Sequence, residues 1–240
     1  DKSFEVLITN SHSRNIIKEA NKYQVPKSKR VLVCWEPEIT NPKLYSKRIK
    51  KLYGCIYSPS KEWSQKLCAT TFPWPQGALK PKTETFENWR KRENKIVIIN
   101  SNKYSAVRGE LYSLRRKIIN KYAKEIQNKL IVYGENWNRG FYFDLLTYLK
   151  SLSRTPLYKI SPHGYKYLGK KFLNYRGWVK NKNEALLNYR VCLVIENSLD
   201  YVSEKLFDAI RAQCIVIYVG SHLNLEKFNR STFLITEPSV

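Results

Sequence analysis

Residues 190–220 have the sequence RVCLVIENSLDYVSEKLFDAIRAQCIVIYVG, and this stretch decides the fold. It begins with a short apolar run, residues 191–195, whose β-branched content predicts a buried strand. Apolar residues then recur at helical spacing, which predicts a helix over residues 201–213. Residues 214–219 form a second buried strand that ends at a glycine. Strand, helix and strand in this order predict a parallel sheet with a right-handed crossover.

Polar residues follow the first of these strands directly. They are Glu196, Asn197, Tyr201, Glu204 and Lys205. Ligands of open parallel sheets lie beyond the carboxyl ends of the strands, and a carboxylate aimed into such a cleft is costly unless it binds something. We therefore expect these residues to line a ligand site. The alternative for Glu196 is a structural cap on the turn that follows.

Apolar strands and amphipathic helices alternate along the rest of the chain. Strands are predicted at residues 4–8, 31–34, 55–58, 96–99 and 130–134, and helices at 13–23, 110–124 and 141–152. In the helix of residues 110–124, Leu111, Leu114, Ile118 and Tyr122 share one side. This alternation predicts an α/β fold with doubly wound sheets. The proline-containing region 71–95 predicts a linker, with a domain boundary near residue 90.

Charge and composition narrow the function classes. The 240 residues include 43 Lys and Arg against 20 Asp and Glu, so the formal net charge is +23. Such a surface attracts nucleic acid, anionic lipid or a phosphorylated substrate, although many of these lysines are expected on solvated helix faces. No apolar stretch approaches 18 residues, which argues against a membrane span. Five cysteines without CxxC spacing and three scattered histidines argue against a disulfide framework and a histidine-built zinc site.

The stretch ENSLDYVSEKLFDAIRAQCIVIYVG resembles the signature of the α1,3/α1,4-fucosyltransferase family. That signature has an apolar strand, E-N-[ST], a short spacer, Y-[VI]-[TS]-E-K, a helix and a second strand ending in glycine. The resemblance covers residues 96–240 well and residues 1–95 loosely. It implies a GT-B-like fold of two Rossmann-type domains whose parallel sheets face a cleft. Residues 1–90 would form an acceptor-side domain that is incomplete, and residues 91–240 a domain that binds the nucleotide sugar.

The resemblance also implies an activity. It is the transfer of L-fucose from GDP-fucose to a glycan hydroxyl, with α1,3 linkage, by a single displacement that inverts the anomeric carbon. The partners would be GDP-fucose and an oligosaccharide acceptor, with no cofactor. None of the four aspartates stands in the Asp-x-Asp spacing that holds a divalent metal in many transferases. Cationic side chains and a helix N-terminus would then stabilise the leaving diphosphate, so no metal is expected.

Two basic residues are candidates for binding the diphosphate. Lys205 lies early in its predicted helix, where a cation opposes the helix dipole unless an anion lies there too. The alternative is that Lys205 pairs with Glu204 or Asp208 on a solvated face. Arg108 follows the predicted strand 96–99 and immediately precedes the next helix, so it is placed to bind a phosphate bidentately.

The remaining roles come from the family resemblance. Glu196, Asn197, Tyr201 and Glu204 match family positions that hydrogen-bond the ribose, guanine and fucose of the donor. The family uses a glutamate of the N-terminal domain as general base, in an E-x-P or E-S-P context. Here the corresponding sequence is Trp-Glu-Pro-Glu, which departs from that spacing by one residue. Glu36 is the candidate base and Glu38 the reserve.

Three alternatives remain open at this stage. The donor could be another nucleotide sugar, the chain could be a non-catalytic relative, or the charge could mark a nucleic-acid-binding module. No DNA- or RNA-binding motif is visible, so no specific nucleic acid is expected as a partner. Free thiols without a signal-peptide pattern predict a cytoplasmic location. The basic surface would also allow peripheral contact with anionic membranes.

Overall fold

The computed structural model divides the chain into two compact units, Asp1–Trp74 and Pro75–Val240. The described residues are 5–72, 84–126, 128–172, 174–220, 225, 229 and 233–236. This division lies nearer the N-terminus than the boundary predicted near residue 90, because the segment around Trp89 is hydrogen-bonded to the second unit. Trp89 Nε1 donates to the carbonyl of Gln213 at 2.8 Å, and Arg92 donates to the carbonyl of Ala212 at 2.6 Å. Part of the predicted linker is therefore helix and strand of the second unit.

The first unit has a parallel sheet with helices packed on it. Its described strands, in sheet order, are β1 (Leu7–Thr9), β2 (Arg30–Val33), β3 (Cys55–Ser58) and β4 (Thr70–Thr71). Its described helices are α1 (Arg14–Lys22), α2 (Ile49–Leu52) and α3 (Lys61–Leu67), with 3-10 turns at Lys27–Lys29 and Pro42–Tyr45. Leu32, Leu44 and Ile56 lie in one apolar core with Trp63. Burying each of these aliphatic side chains contributes about 2 kcal/mol.

The second unit has a larger parallel sheet. Its described strands, in sheet order, are β6 (Leu130–Tyr133), β5 (Glu93–Ile99), β7 (Tyr189–Ile195), β8 (Ile215–Val219) and β9 (Phe233–Thr236). Its described helices are α4 (Phe86–Lys91), α5 (Tyr112–Glu125), α6 (Phe141–Leu152), α7 (Lys182–Leu186) and α8 (Glu204–Arg211), with a 3-10 turn at Leu157–Lys159. Val97 and Ile98 lie in separate apolar clusters, so both faces of the sheet are covered.

The strand order creates a switch point between β5 and β7. From β5 the chain moves outward to β6. The backbone N–H of Arg176 donates to the Val132 carbonyl at 2.9 Å, so residues 174–177 extend the sheet beyond β6. The chain then returns to the other side of β5 as β7 and continues outward through β8 and β9. In open α/β sheets this reversal opens a crevice at the carboxyl ends of the two central strands. Here those ends are Ile99 and Ile195.

Two predicted helices differ in detail from the observed ones. The helix predicted from residue 201 begins at Glu204, because Ser203 is its N-cap. Leu111, the N-cap of α5, and Leu114 and Ile118 within the helix pack in one apolar cluster with Ile195, as the pattern suggested, but Tyr122 is exposed. The most deeply buried side chains of α5 instead include two arginines, which the apolar periodicity did not reveal.

Candidate functional site

The loops that follow β5 and β7 are joined to each other at the switch point. Leu111 donates its backbone N–H to the Asn197 carbonyl at 2.9 Å, and Leu199 donates to the Gly109 carbonyl at 3.3 Å. Gly109 has a φ of +86°, a conformation that a side chain would strain. Arg108 precedes Gly109 in sequence, so its backbone lies next to the segment that contains Asn197 and Leu199. The Arg108 side chain is exposed. The structure thus places the predicted phosphate-binding arginine beside the polar segment that follows β7.

Glu196 is fully buried at the end of β7. Its Oε1 accepts the Ser203 backbone N–H at 2.8 Å, and its Oε2 accepts the Ser203 hydroxyl at 2.7 Å. Burial raises the pKa of Glu196, while Lys205 and the two bonds from Ser203 act in the opposite direction. The carboxylate therefore fastens the start of α8 to the end of β7. This is the capping role that the sequence left open as the alternative to donor binding.

Lys205 lies beside Ser203 and Glu196 and interacts with both. Its Nζ donates to Ser203 Oγ at 2.9 Å and lies 4.0 Å from Glu196 Oε2, and 19% of its side chain is exposed. Burial lowers the pKa of Lys205, and the negative charges of Glu196 and Glu204 oppose that shift. Lys205 is thus a partly buried cation at the first turn of α8, where the helix dipole disfavours positive charge. It does not pair with Asp208 on a solvated face, because Lys182 occupies that carboxylate at 2.6 Å.

Glu204 is the first residue of α8 and is more exposed than Lys205 and Glu196. Lys182 Nζ donates to its Oε1 at 3.3 Å, and 42% of the Glu204 side chain is exposed. Burial alone would raise the pKa of Glu204, but the ammonium groups of Lys205 and Lys182 outweigh it, so the pKa lies below its usual value. Tyr201, three residues earlier, is buried. Glu204 is therefore an ionised, accessible acceptor for ligand hydroxyls or amide N–H groups.

Arg115 is a residue of this site that the sequence analysis missed. Its guanidinium donates to the Ser101 carbonyl at 2.9 Å, the Ile195 carbonyl at 2.8 Å, the Glu196 carbonyl at 3.2 Å and Asn197 Oδ1 at 3.3 Å. Burial lowers its pKa to about 10, which leaves it charged at neutral pH. One side chain of α5 thus holds the ends of both central strands. It stands in a basic run with Arg116 and Lys117, which in sequence is typical of a solvated helix face and gave no local signal of this contact.

A small cavity adjoins the buried charges. Its volume is about 20 Å³, enough for one water molecule, and its polar lining residues are Asn100, Lys182, Lys205 and Asp208. Within the described part of the chain, Asn100 Nδ2 has no hydrogen-bond partner. A buried amide without a partner is costly, so Asn100 is a further candidate for contact with a ligand. The sequence prediction selected Arg108 at the far end of this loop but not Asn100.

Two glycines allow backbone and side chains to approach closely around the site. A Cβ on Gly220, at the end of β8, would lie 2.9 Å from Glu196 Cγ. A Cβ on Gly134, after β6, would lie 2.1 Å from the Asn100 carbonyl oxygen, and the φ of Gly134 is +131°. Neither position accepts a side chain without a shift of the site.

The two candidate bases lie in the first unit. Both follow the carboxyl end of β2, which is the side of the sheet where open α/β proteins bind ligands. Glu36 is exposed, and its carbonyl accepts the Tyr45 hydroxyl at 2.6 Å. Glu38 is half-buried. Of the two, Glu36 presents its carboxylate more freely to solvent.

Comparisons of the sequence with known protein families and with curated proteins found no match. Solved structures match nearly the whole chain. A crystal structure of an α1,3-fucosyltransferase is 18% identical, with a TM-score of 0.52, over 98% of this chain and 62% of that chain. The Anabaena protein HepE in complex with UDP is 11% identical, with a TM-score of 0.57, over 98% of this chain and 65% of that chain.

A third similar structure is a trehalose-6-phosphate synthase, 14% identical with a TM-score of 0.50, over 93% of this chain and 60% of that chain. This chain therefore spans less than two thirds of the length of each of these proteins. At such identities the likeness concerns the fold, which confirms the α/β architecture with two parallel sheets predicted from the sequence. The fold of this chain is the GT-B fold of those glycosyltransferases.

Proposed function

We propose that this chain is an inverting glycosyltransferase that moves L-fucose from GDP-fucose to a glycan hydroxyl. The observation that carries the proposal is the switch point of the second unit. There Lys205 and Arg108 present positive charge beside the polar groups of Asn197 and Glu204. A diphosphate needs cations, and a ribose or sugar needs acceptors for its hydroxyl groups. The match of this segment to the fucosyltransferase signature favours GDP-fucose among such ligands.

In the proposed reaction, the glycan hydroxyl loses its proton to a carboxylate as its oxygen attacks the anomeric carbon of fucose. The bond from that carbon to the diphosphate oxygen breaks, and GDP leaves with the bonding electron pair. Glu36 is the proposed base and Glu38 the reserve. Lys205 and Arg108 stabilise the negative charge that develops on the leaving diphosphate. Asn197, Glu204 and the buried Tyr201 and Glu196 shape the donor pocket.

Calorimetric titration with GDP in the presence of EDTA tests the donor site. We expect micromolar affinity, about −8 kcal/mol. Lys205→Ala should weaken GDP binding at least about thirtyfold, because a charge-assisted contact contributes about 2 kcal/mol. The matched control is Lys121→Ala, a lysine on the exposed face of α5, which should bind like the wild type. Absence of GDP binding by the folded wild type would refute the proposal.

A different nucleotide sugar is the second candidate, because HepE, which has the higher TM-score, was crystallised with UDP. Parallel titrations with GDP, UDP and ADP separate the two. Tighter binding of UDP than of GDP would transfer the proposal to a UDP-sugar donor. A nucleic-acid-binding protein would instead bind an oligonucleotide more tightly than any of these, with a steep loss of affinity as salt rises.

Stereochemistry is tested on the product. With GDP-fucose and a panel of N-acetylglucosamine and glucose acceptors, NMR should show an anomeric configuration opposite to that of the donor. Glu36→Gln should reduce turnover by at least about a hundredfold while GDP affinity stays unchanged, because a general base acts on the chemical step. Retained configuration, as in a double-displacement enzyme, would contradict the inverting mechanism.

A further inference from the structure

Helix α6 is oriented with a polar residue inside and apolar residues outside. Asp144, in its first turn, is buried, and its Oδ2 accepts the Tyr104 hydroxyl at 2.9 Å and the Gly169 backbone N–H at 2.9 Å. Tyr148, one turn further, packs with Tyr104 in a small buried cluster. These contacts fix which side of α6 faces the protein. A surface helix usually keeps its apolar residues on the inward side, whereas α6 has large apolar residues on its outward side as well.

The outward face of α6 is a stripe of large apolar residues, here named the α6 stripe: Tyr142, Leu146 and Leu149. Their spacing of four and three residues places them on one side of the helix. They are 78%, 60% and 45% exposed, and Phe143 beside them is 63% exposed. A single exposed leucine would mean little, but a continuous apolar stripe of this kind marks a surface that contacts something apolar.

Large exposed apolar residues also occur shortly after the end of α6. Leu157 is 87% exposed and Tyr158 is 75% exposed, both in the 3-10 turn Leu157–Lys159. Two bulky residues presented on a short turn cannot be buried by the turn itself. They extend the exposed apolar surface beyond the end of the helix.

Positive charge accompanies this surface. Asp144 is the only acidic residue between positions 136 and 172, and its carboxylate is buried. The basic residues of the same segment are Arg139, Lys150, Arg154, Lys159, Lys166, Lys170 and Lys171. The segment therefore presents cations and no exposed carboxylate around its apolar residues. Its charge is complementary to an anionic partner.

We propose that α6 and the Leu157–Lys159 turn form a peripheral binding surface for an anionic lipid bilayer. The α6 stripe, Leu157 and Tyr158 enter the interface, while the surrounding lysines and arginines contact lipid headgroups. Tyr142 and Tyr158 suit the boundary between lipid headgroups and acyl chains, because each has an apolar ring with a polar hydroxyl. No described helix is long and apolar enough to cross a bilayer.

Other occupants fit the surface less well. In a dimer formed through this face, two sets of basic residues would meet with no exposed carboxylate from residues 136–172 to pair with them. A nucleic acid would contact the cations but would leave Leu146 and Leu149 exposed to solvent. An anionic membrane uses both the charge and the apolar stripe. The proposal is independent of the donor site at the switch point.

Vesicle co-sedimentation of the whole chain tests the proposal. We expect binding to vesicles of phosphatidylcholine with 30% phosphatidylglycerol, and little binding to pure phosphatidylcholine. Each basic residue near an anionic surface contributes about fivefold to partitioning, so binding should fall steeply in high salt. The variant Tyr142→Ser/Leu146→Ser should reduce partitioning at least about tenfold, and Lys150→Glu/Arg154→Glu to a similar extent.

Matched controls separate the surface from general effects. Lys121→Glu/Lys124→Glu makes the same charge change on the exposed face of α5 and should bind nearly like the wild type. Melting temperatures within a few degrees of wild type would confirm that the variants are folded, as expected for exposed positions. Failure of the wild type to bind anionic vesicles, or equal losses in the α5 control and the α6 variants, would overturn the proposal. Self-association abolished by the α6 variants would also overturn it and assign the surface to a second copy.

Discussion

Arg115 determines the geometry of the switch point more directly than any residue that the sequence analysis selected. Its guanidinium contacts the Ser101 carbonyl after β5 and the Ile195 carbonyl at the end of β7 at once, so it ties these two chain segments together. Arginine suits this task because its planar donors are fixed relative to one another. Tertiary contacts alone reveal this role, since the neighbours of Arg115 in sequence are ordinary helix residues.

Arg115→Lys should therefore destabilise the second unit although the charge is kept. An ammonium cannot reach the Ser101 and Ile195 carbonyls together, so about 2 kcal/mol of unfolding free energy should be lost. GDP affinity should also fall, because Asn197 loses its anchor. Urea denaturation and GDP titration measure the two effects. The control is Arg154→Lys, an exposed arginine beyond α6, and an equally small effect of both substitutions would contradict the role of Arg115.

GDP binding should weaken at alkaline pH, because Lys205 loses its positive charge there. Burial lowers its pKa below 10.5, so the ammonium loses its proton as pH rises through this lowered value, and affinity for an anion falls. Glu204→Gln should move the midpoint to a lower pH, because the negative charge of Glu204 opposes the lowering. Calorimetry over a series of neutral to alkaline pH values follows this fall in affinity.

The control for this pH dependence is Lys205→Arg. A guanidinium stays protonated over that range, so any fall in affinity that remains in this variant belongs to the ligand or to other groups. A midpoint unchanged by Lys205→Arg would show that Lys205 does not bind the diphosphate.

At the scale of elements, the start of α8 is joined to the end of β7 through Ser203, which bonds Glu196 with both its backbone N–H and its hydroxyl. Ser203 caps α8, donates to Glu196 and accepts from Lys205. A fully buried carboxylate requires such partners, because an unpaired buried charge is strongly unfavourable. The start of the helix and the position of Lys205 are therefore set together.

Ser203→Ala should cost about 2 kcal/mol, which is more than a cap alone, because Glu196 also loses a hydrogen bond. The matched control is Thr85→Ala, the N-cap of α4 in the same unit. Thr85 accepts the Asn88 N–H and, among the described residues, no buried carboxylate depends on it, so its loss should cost under about 1 kcal/mol. Chemical denaturation compares the two. Equal costs would show that the Glu196 contact adds nothing to the cap.

Elements with strong local patterns were predictable. The strand Cys55–Ser58 and the helix Phe141–Leu152 have the predicted bounds, because apolar periodicity and flanking polar residues define both. The predicted linker was wrong in part. Residues 86–91 form α4 and β5 begins at Glu93, where charged residues conceal a strand extension that pairs with Tyr189. Local composition favoured a loop there, and a neighbouring strand decided otherwise.

At the scale of the whole molecule, the chain has two units that each bury an apolar core of their own. Separate cores allow separate unfolding, and a ligand stabilises only the part that binds it. We expect GDP to slow hydrogen exchange in β5, β7 and α8 while the amides of β2 and β3 are unaffected. Equal protection of both units by GDP would contradict a donor site formed by the second unit alone.

The sequence by itself determined the alternation of strands and helices, the parallel pairing of the second sheet and the cluster of polar residues after β7. These properties depend on side-chain periodicity and on short-range order along the chain, which the sequence displays directly. Tertiary structure decided that Glu196 is a buried cap, that Lys205 pairs with it rather than with Asp208, and that Arg115 joins the strand ends. It also decided that Tyr142, Leu146 and Leu149 of α6 face outward. Burial and pairing of charges depend on residues far apart in sequence, so no local pattern specifies them.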